Sequence, residues 1–155
     1  MKLKVVAVGK LKERFWKDAV AEYAKRLGAY ANLQIVEVPD HDPAKAGGDA
    51  AVVKAEGADI LKAVGSSYVI LLAIDGTERS SESFSRRLER LMTHGAGSIA
   101  FVVGGSTGVS DEVRARADET LSFGPITLPH NLARVVLLEQ TYRAFKIMRG
   151  EPYHK

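Results

Sequence analysis

Tyr68-Val69-Ile70-Leu71-Leu72-Ala73-Ile74 is apolar at every position. A strand with one wet face alternates apolar and polar residues. A strand with no polar residue is covered on both faces, as in a parallel sheet between helix layers. Asp75-Gly76 then turns the chain. Downstream, Phe84, Leu88, Leu91 and Met92 recur at helical spacing, with Ser80 or Ser81 as the cap and Gly95 as the stop. Ser98–Val103 is a second continuous apolar strand, ending in Gly104-Gly105. Ser110-Asp111-Glu112 opens a helix to about Ala117, a short strand falls within Leu121–Leu128, and a long helix follows through Ile147 before Gly150 and Pro152.

The upstream half repeats the alternation. Val5–Val8 is a buried strand ended by Gly9, and Phe15, Ala19, Val20, Tyr23, Ala24 and Leu27 mark a helix. Leu33–Val38 is a strand that stops at Pro39. Residues 39–49 predict a polar, mobile loop, and Val53, Ile60, Leu61 and Val64 a helix weakened by Gly57. Strands and helices in turn, with short connections, predict an α/β fold: a mostly parallel sheet flanked by helices, in one domain spanning residues 1–155.

The chain has 155 residues, 46% of them hydrophobic and 26% charged, which suits a globular domain and excludes disorder. No cysteine is present, so disulfides, thiolate nucleophiles and cysteine metal sites are excluded, and a reducing cytoplasm is the expected setting. The apolar runs are too short for a membrane span or a signal segment. The net charge of +3 is unevenly spread: residues 1–30 carry eight Lys/Arg against three Asp/Glu, and residues 134–155 five against two. If the two ends meet in space, they form a basic surface suited to a polyanion; otherwise they are solvated helix faces.

Ligands of open α/β sheets bind beyond the carboxyl ends of the strands. Three segments qualify: Asp75-Gly76, Gly104 through Gly108, and Gly124 through His130. Dinucleotide, Walker, zinc-protease and nucleophile-elbow motifs are all absent, and no histidine pair has metal-ligand spacing. His41 reads as a loop residue and His94 as a helix-end residue, while His130 and His154 fall near the candidate site or in the tail.

Several longer stretches are distinctive together. They are Val102-Val103-Gly104-Gly105-Ser106-Thr107-Gly108, Ile126-Thr127-Leu128-Pro129-His130, Glu139-Gln140-Thr141-Tyr142-Arg143-Ala144 and the terminal Pro152-Tyr153-His154. With the opening Met1–Lys10, Glu22-Tyr23, Val69–Ile74 and Gly76, they make the chain resemble, end to end, the ribosomal RNA large subunit methyltransferase H family of the SPOUT class. One departure is Ser106-Thr107-Gly108, where many relatives have Pro-Glu-Gly; the glycine frame is kept.

The resemblance implies an S-adenosylmethionine-dependent enzyme that methylates N3 of a pseudouridine in 23S ribosomal RNA within the ribosome, without a metal. It implies a C-terminal trefoil knot, which the general rarity of knots would otherwise exclude. It implies a homodimer with each cofactor site close to the partner chain. By position, the cofactor pocket is Leu72, Ala73, Gly104, Gly105, Gly124, Pro125, Ile126, Thr127, Leu128 and Pro129. The catalytic candidates are Arg143, Tyr153, His154 and His130. Arg143 has an ordinary reading too, as an ion pair with Glu139 one helical turn earlier. Which group accepts the N3 proton stays open at this stage. A non-catalytic RNA- or ribosome-binding protein, or a relative acting on a different RNA, are the alternatives. Three further expectations follow: a side chain at Gly105 enters the cofactor space, the last helix forms a dimer interface, and residues 151–155 bear on the RNA rather than on folding.

Overall fold

The computed structural model describes residues 1–155. Five strands are present: β1 (Lys2–Val8), β2 (Asn32–Val38), β3 (Tyr68–Glu78), β4 (Ser98–Val103) and β5 (Glu119–Ser122). They form one sheet in the order β2-β1-β4-β3-β5, with every pairing parallel. Six helices connect them: α1 (Arg14–Leu27), α2 (Pro43–Ala46), α3 (Asp49–Val64), α4 (Ser81–Thr93), α5 (Asp111–Arg116) and α6 (His130–Met148). None is long and apolar enough to cross a membrane.

The apolar strands sort their side chains to two faces, as a period of two requires. Val5, Ala7, Ile70, Ile99, Phe101 and Val103 join a core built with α1, α4 and α6. Val6, Val8, Val69, Leu71, Ala100 and Val102 join a second core with α3 and α5. Both faces are covered, which is why these strands carry no alternating polar residues. The two basic ends do meet, because α1 and α6 pack side by side: the Arg26 guanidinium lies 5.6 Å from the centre of the Tyr142 ring.

Three expectations need correction. The chain does not turn at Asp75-Gly76. β3 continues to Glu78, and its pairing with β5 shifts register between Leu72 and Thr77, so residues 73–76 bulge outward. Gly76 is needed there, since a Cβ would sit 3.0 Å from the backbone of Leu121. The polar loop is not featureless: α2 forms within it, capped by the Asp42 carboxylate accepting from Ala44 N–H at 3.0 Å. The fifth strand is Glu119–Ser122 rather than a segment within Leu121–Leu128, because Glu119–Leu121 pair with Ile70–Leu72 and the chain leaves the sheet after Ser122. Within α3, Gly57 lets the Ser110 cap of α5 approach, where any Cβ would lie 2.5 Å from Ser110 Oγ.

One buried ion pair ties α6 to the front of the sheet. Arg134, 1% exposed, donates to Glu37 Oε2 at 2.7 Å and to the Gly9 carbonyl at 3.1 Å. The same Glu37 oxygen accepts from Leu11 N–H at 3.2 Å. Glu37→Ala should cost about 3 kcal/mol, because it strands a buried guanidinium. Arg134→Met should cost less, because it removes that charge and leaves Glu37 partly solvated. Urea denaturation midpoints of the two variants check the order.

Candidate active site

The bulge of β3, the end of β4 and the chain leaving β5 enclose a cleft of about 690 Å³, a size suited to a cofactor. Leu72, Ala73 and Ile74 form one wall, Val103-Gly104-Gly105 the floor, and Gly124 and Ile126 through Pro129 the opposite wall. His130 and Ala133, in the first turn of α6, close one end. Ser122 Oγ holds the walls in register: it donates to the Ile74 carbonyl at 2.9 Å and accepts from Gly124 N–H at 3.0 Å. Gly124 has φ of +103°, which a residue with a Cβ resists.

The cleft therefore brings together nine of the ten residues expected to bind the cofactor. Pro125 is the exception; it is exposed and lies outside the lining. The sequence reading missed Arg114, the one guanidinium in the lining, which is half exposed and only 3.5 Å from an exposed Asp75 carboxylate. Nothing in its local pattern distinguishes it from the other charges of α5.

The lining suits S-adenosylmethionine. Leu72, Val103, Ile126 and Leu128 offer apolar cover for a flat base, and the N–H and C=O groups of Ile126, Thr127 and Leu128 have no backbone partner within the chain. Such groups can pair with the polar edge of an adenine. Arg114 offers a cation to a carboxylate. No three His, Asp or Glu side chains are grouped as metal ligands.

Gly105 behaves differently from expectation. Its missing Cβ would point away from the cleft, 3.1 Å from Val8 Cγ1 and 3.1 Å from Glu56 Oε1. Gly105 lines the cleft with backbone and packs its other side on the core. Glu56 itself is buried, accepts from His41 N–H through Oε2 at 3.2 Å, and leaves Oε1 without a partner. Burial pushes its carboxyl above the usual range.

The other three catalytic candidates gather elsewhere. Arg143 is thirteen residues beyond His130 on α6, roughly 20 Å along the helix axis. It makes the ion pair with Glu139, at 2.6 Å from Nη2 to Oε1. It also spans the tail: Tyr153 lies under its guanidinium at 4.7 Å, and His154 Nδ1 is 3.2 Å from Nη1. Tyr153 donates to Glu139 at 3.1 Å and meets the Tyr142 ring edge-on at 4.9 Å. His154 Nε2 reaches Glu82 of α4 at 2.8 Å. Glu151 holds Lys146 at 2.8 Å and accepts from Tyr30. The tail is thus docked on α6 and α4.

This cluster sets proton states. Partial burial, then the charge of Glu139, push the Tyr153 phenol up to about 12. The Glu139 hydrogen bonds raise Arg143 further into its cationic range. A backbone N–H and the His154 contact pull Glu82 down to about 2. At neutral pH Tyr153 and Arg143 are therefore donors.

A family model described as "Predicted SPOUT methyltransferase" matches residues 1–154. The ribosomal RNA large subunit methyltransferase H of Listeria monocytogenes is 52% identical over the whole of both chains. That of Bacillus anthracis is 48% identical, again over the whole of both. Among solved structures, a probable methyltransferase from Bordetella pertussis superposes with a TM-score of 0.57 at 16% identity, covering 92% of this chain and 95% of that one. A probable methylase family protein from Haemophilus influenzae gives 0.56 at 16% identity, covering 96% and 66%. At that identity these two show the fold alone. The chain belongs to the SPOUT methyltransferases, in the ribosomal RNA large subunit methyltransferase H family.

Proposed function

We propose that this protein transfers a methyl group from S-adenosylmethionine to N3 of a pseudouridine in 23S ribosomal RNA, acting on the ribosome. The observation that carries the reading is the end-to-end identity of about half with ribosomal RNA large subunit methyltransferase H, in a chain whose strand ends form a cofactor-sized, backbone-lined cleft. Bound in that cleft, S-adenosylmethionine supplies an activated methyl carbon. The chain's own residues then have two tasks. The cleft holds the donor through Leu72, Ala73, Gly104, Gly105 and the irregular wall from Gly124 through Pro129. Arg143, Tyr153, His154 and His130 orient the base, and one histidine takes the N3 proton. Arg143, which keeps N–H groups beyond those given to Glu139, stabilises the charge that develops on the ring, and Tyr153 holds the guanidinium in place through its ring and its bond to Glu139.

We further propose that the site is completed in a homodimer. Within one chain the cleft and the tail cluster are held roughly 20 Å apart by the length of α6. A two-fold axis across α6 runs the two helices antiparallel and sets one chain's tail beside its partner's cleft. Half-buried Leu132, Val135 and Val136, with exposed Ile74 and Ile126 at the cleft rim, provide apolar surface for it. Leu137, Leu138, Tyr142 and Phe145 are already used inside the chain, so the available face of α6 is narrower than its composition suggests. The trefoil knot belongs to the same proposal: it is supported by the close approach of the β3 bulge to β5 and the chain leaving it, before α6 returns across the sheet to pack on α4, α1 and the central strand β4.

Mass spectrometry of ribosomal RNA from a deletion strain should show one N3-methylpseudouridine lost and restored by the gene; an unchanged spectrum overturns the reading. Light scattering should give a dimer at micromolar concentration. Mixing a variant defective in the cleft with one lacking the tail should restore part of the activity, since a mixed dimer retains one intact composite site. No recovery on mixing would mean that each chain works alone.

A further inference from the structure

The mechanism leaves unused the segment between β1 and the first turns of α1. Lys10, Lys12, Arg14 and Lys17 are all exposed there, and Lys10, Lys12 and Lys17 enter no ion pair. Arg14 faces Asp18 only loosely, at 3.8 Å, with both side chains largely in solvent. Among these cations Phe15 is 63% exposed, its ring 4.9 Å from that of half-buried Trp16. Its one ring partner in the chain is Trp16, so most of the Phe15 ring stays open to a partner in solution.

The position of this patch is set by the buried clamp. Arg134 grips the Gly9 carbonyl while Glu37 holds Leu11 N–H, so the segment is fixed at its base. Arg134 is one helical turn beyond His130, which closes the cleft. All five strands are parallel, so the end of β1 and the ends of β3, β4 and β5 share one edge of the sheet. The patch therefore lies at the same edge of the sheet as the cleft.

We infer that Lys10–Lys17 is an RNA-docking surface, in which Phe15 stacks on an unpaired base of the ribosomal RNA and Lys10, Lys12 and Lys17 contact its phosphates. This rests on the proposed function and adds to it a place where the substrate is held outside the reacting base. Interspersed cations and an exposed ring are the combination that single-stranded RNA requires: phosphate neutralisation along the backbone and a face for stacking. Glu13 and Asp18 reduce the net charge without covering the ring or Lys10 and Lys12.

The test uses the full-length protein and purified ribosomes. Phe15→Ala should raise the KM for ribosomes and weaken ribosome capture about tenfold, the size of a lost base-stacking contact. Maximal turnover and S-adenosylmethionine affinity should stay within about twofold of wild type, and Phe15→Tyr should restore the KM. Lys10→Gln with Lys12→Gln should flatten the salt dependence of ribosome binding by about one to two in log–log slope. Unchanged KM, capture and salt slope overturn the docking surface. A shift from dimer to monomer in Phe15→Ala also overturns it, because the ring then serves a second copy of the chain. If wild type transfers no methyl to ribosomes yet the variants lose capture, the docking surface stands and the catalytic reading fails.

Discussion

Deleting residues 151–155 should lower methylation of ribosomes at least about 100-fold while S-adenosylmethionine still binds. The magnitude follows from what is removed. Tyr153 and His154 are the groups that Arg143 holds in place, and losing oriented donors or a proton acceptor typically costs two to four orders of magnitude. The cofactor cleft lies at the other end of α6 and loses no lining residue. Stability should fall by no more than about 1–2 kcal/mol, since the tail's ion pairs are partly solvated and Tyr153 contributes one edge-on aromatic contact. Tyr153→Phe separates the roles within the tail. It keeps the ring on Tyr142 and under Arg143 but frees Glu139 from the phenol, so activity should fall while the melting temperature barely moves. Isothermal calorimetry for the cofactor, radiolabelled methyl transfer for the reaction and thermal melts for the fold give the three readouts. A truncated protein with full activity would remove the tail from the site and leave recognition to Arg143 and the basic α1.

The tail also shows where reading from sequence runs out. Its residue types are those of a substrate contact, and composition alone favours a frayed end. Neither states that Glu82 of α4, sixty-nine positions before Glu151 and seventy-two before His154, provides the anchor. The inner strands were legible because burial on both faces leaves an unmistakable composition, as in Ile99 through Val103; the edge strand β5, Glu119–Ser122, was misplaced, because its mixed polar residues carry no such signal. The helix limits were legible from Ser80, Ser110 and the glycines that follow. The β3 bulge was not, because a register shift depends on how β5 pairs rather than on any residue between 73 and 76. Arg134 and Glu37 were not either: ninety-seven positions separate them, and each resembles an ordinary surface charge. The cleft residues were placed by motif, and all but Pro125 do line it; the direction of each side chain was beyond the pattern.

Gly105 makes that last distinction measurable. Because its Cβ direction meets Val8 and Glu56 rather than the cleft, a substitution acts from behind. Gly105→Val would drive two further methyl groups into a packed core around Val8, and overpacking of this kind costs about 1–3 kcal/mol. The strain is relieved most easily by the backbone moving outward, into the cleft that Gly104 and Gly105 floor. S-adenosylmethionine affinity should therefore fall more than about 100-fold, together with a lowered melting temperature. Gly105→Ala is the discriminating variant. At 3.1 Å its Cβ needs only a few tenths of an ångström from Glu56 or Val8, so affinity should drop about tenfold or less with a nearly unchanged melt. Were the side chain to enter the cleft directly, valine would abolish binding with no loss of stability. Coupled losses of stability and affinity in valine, with mild effects in alanine, identify the core side. Combining Gly105→Ala with Val8→Ala supplies the final check: space opened behind the loop should recover cofactor affinity even though the core loses packing, an outcome that a side chain inside the cleft could not produce.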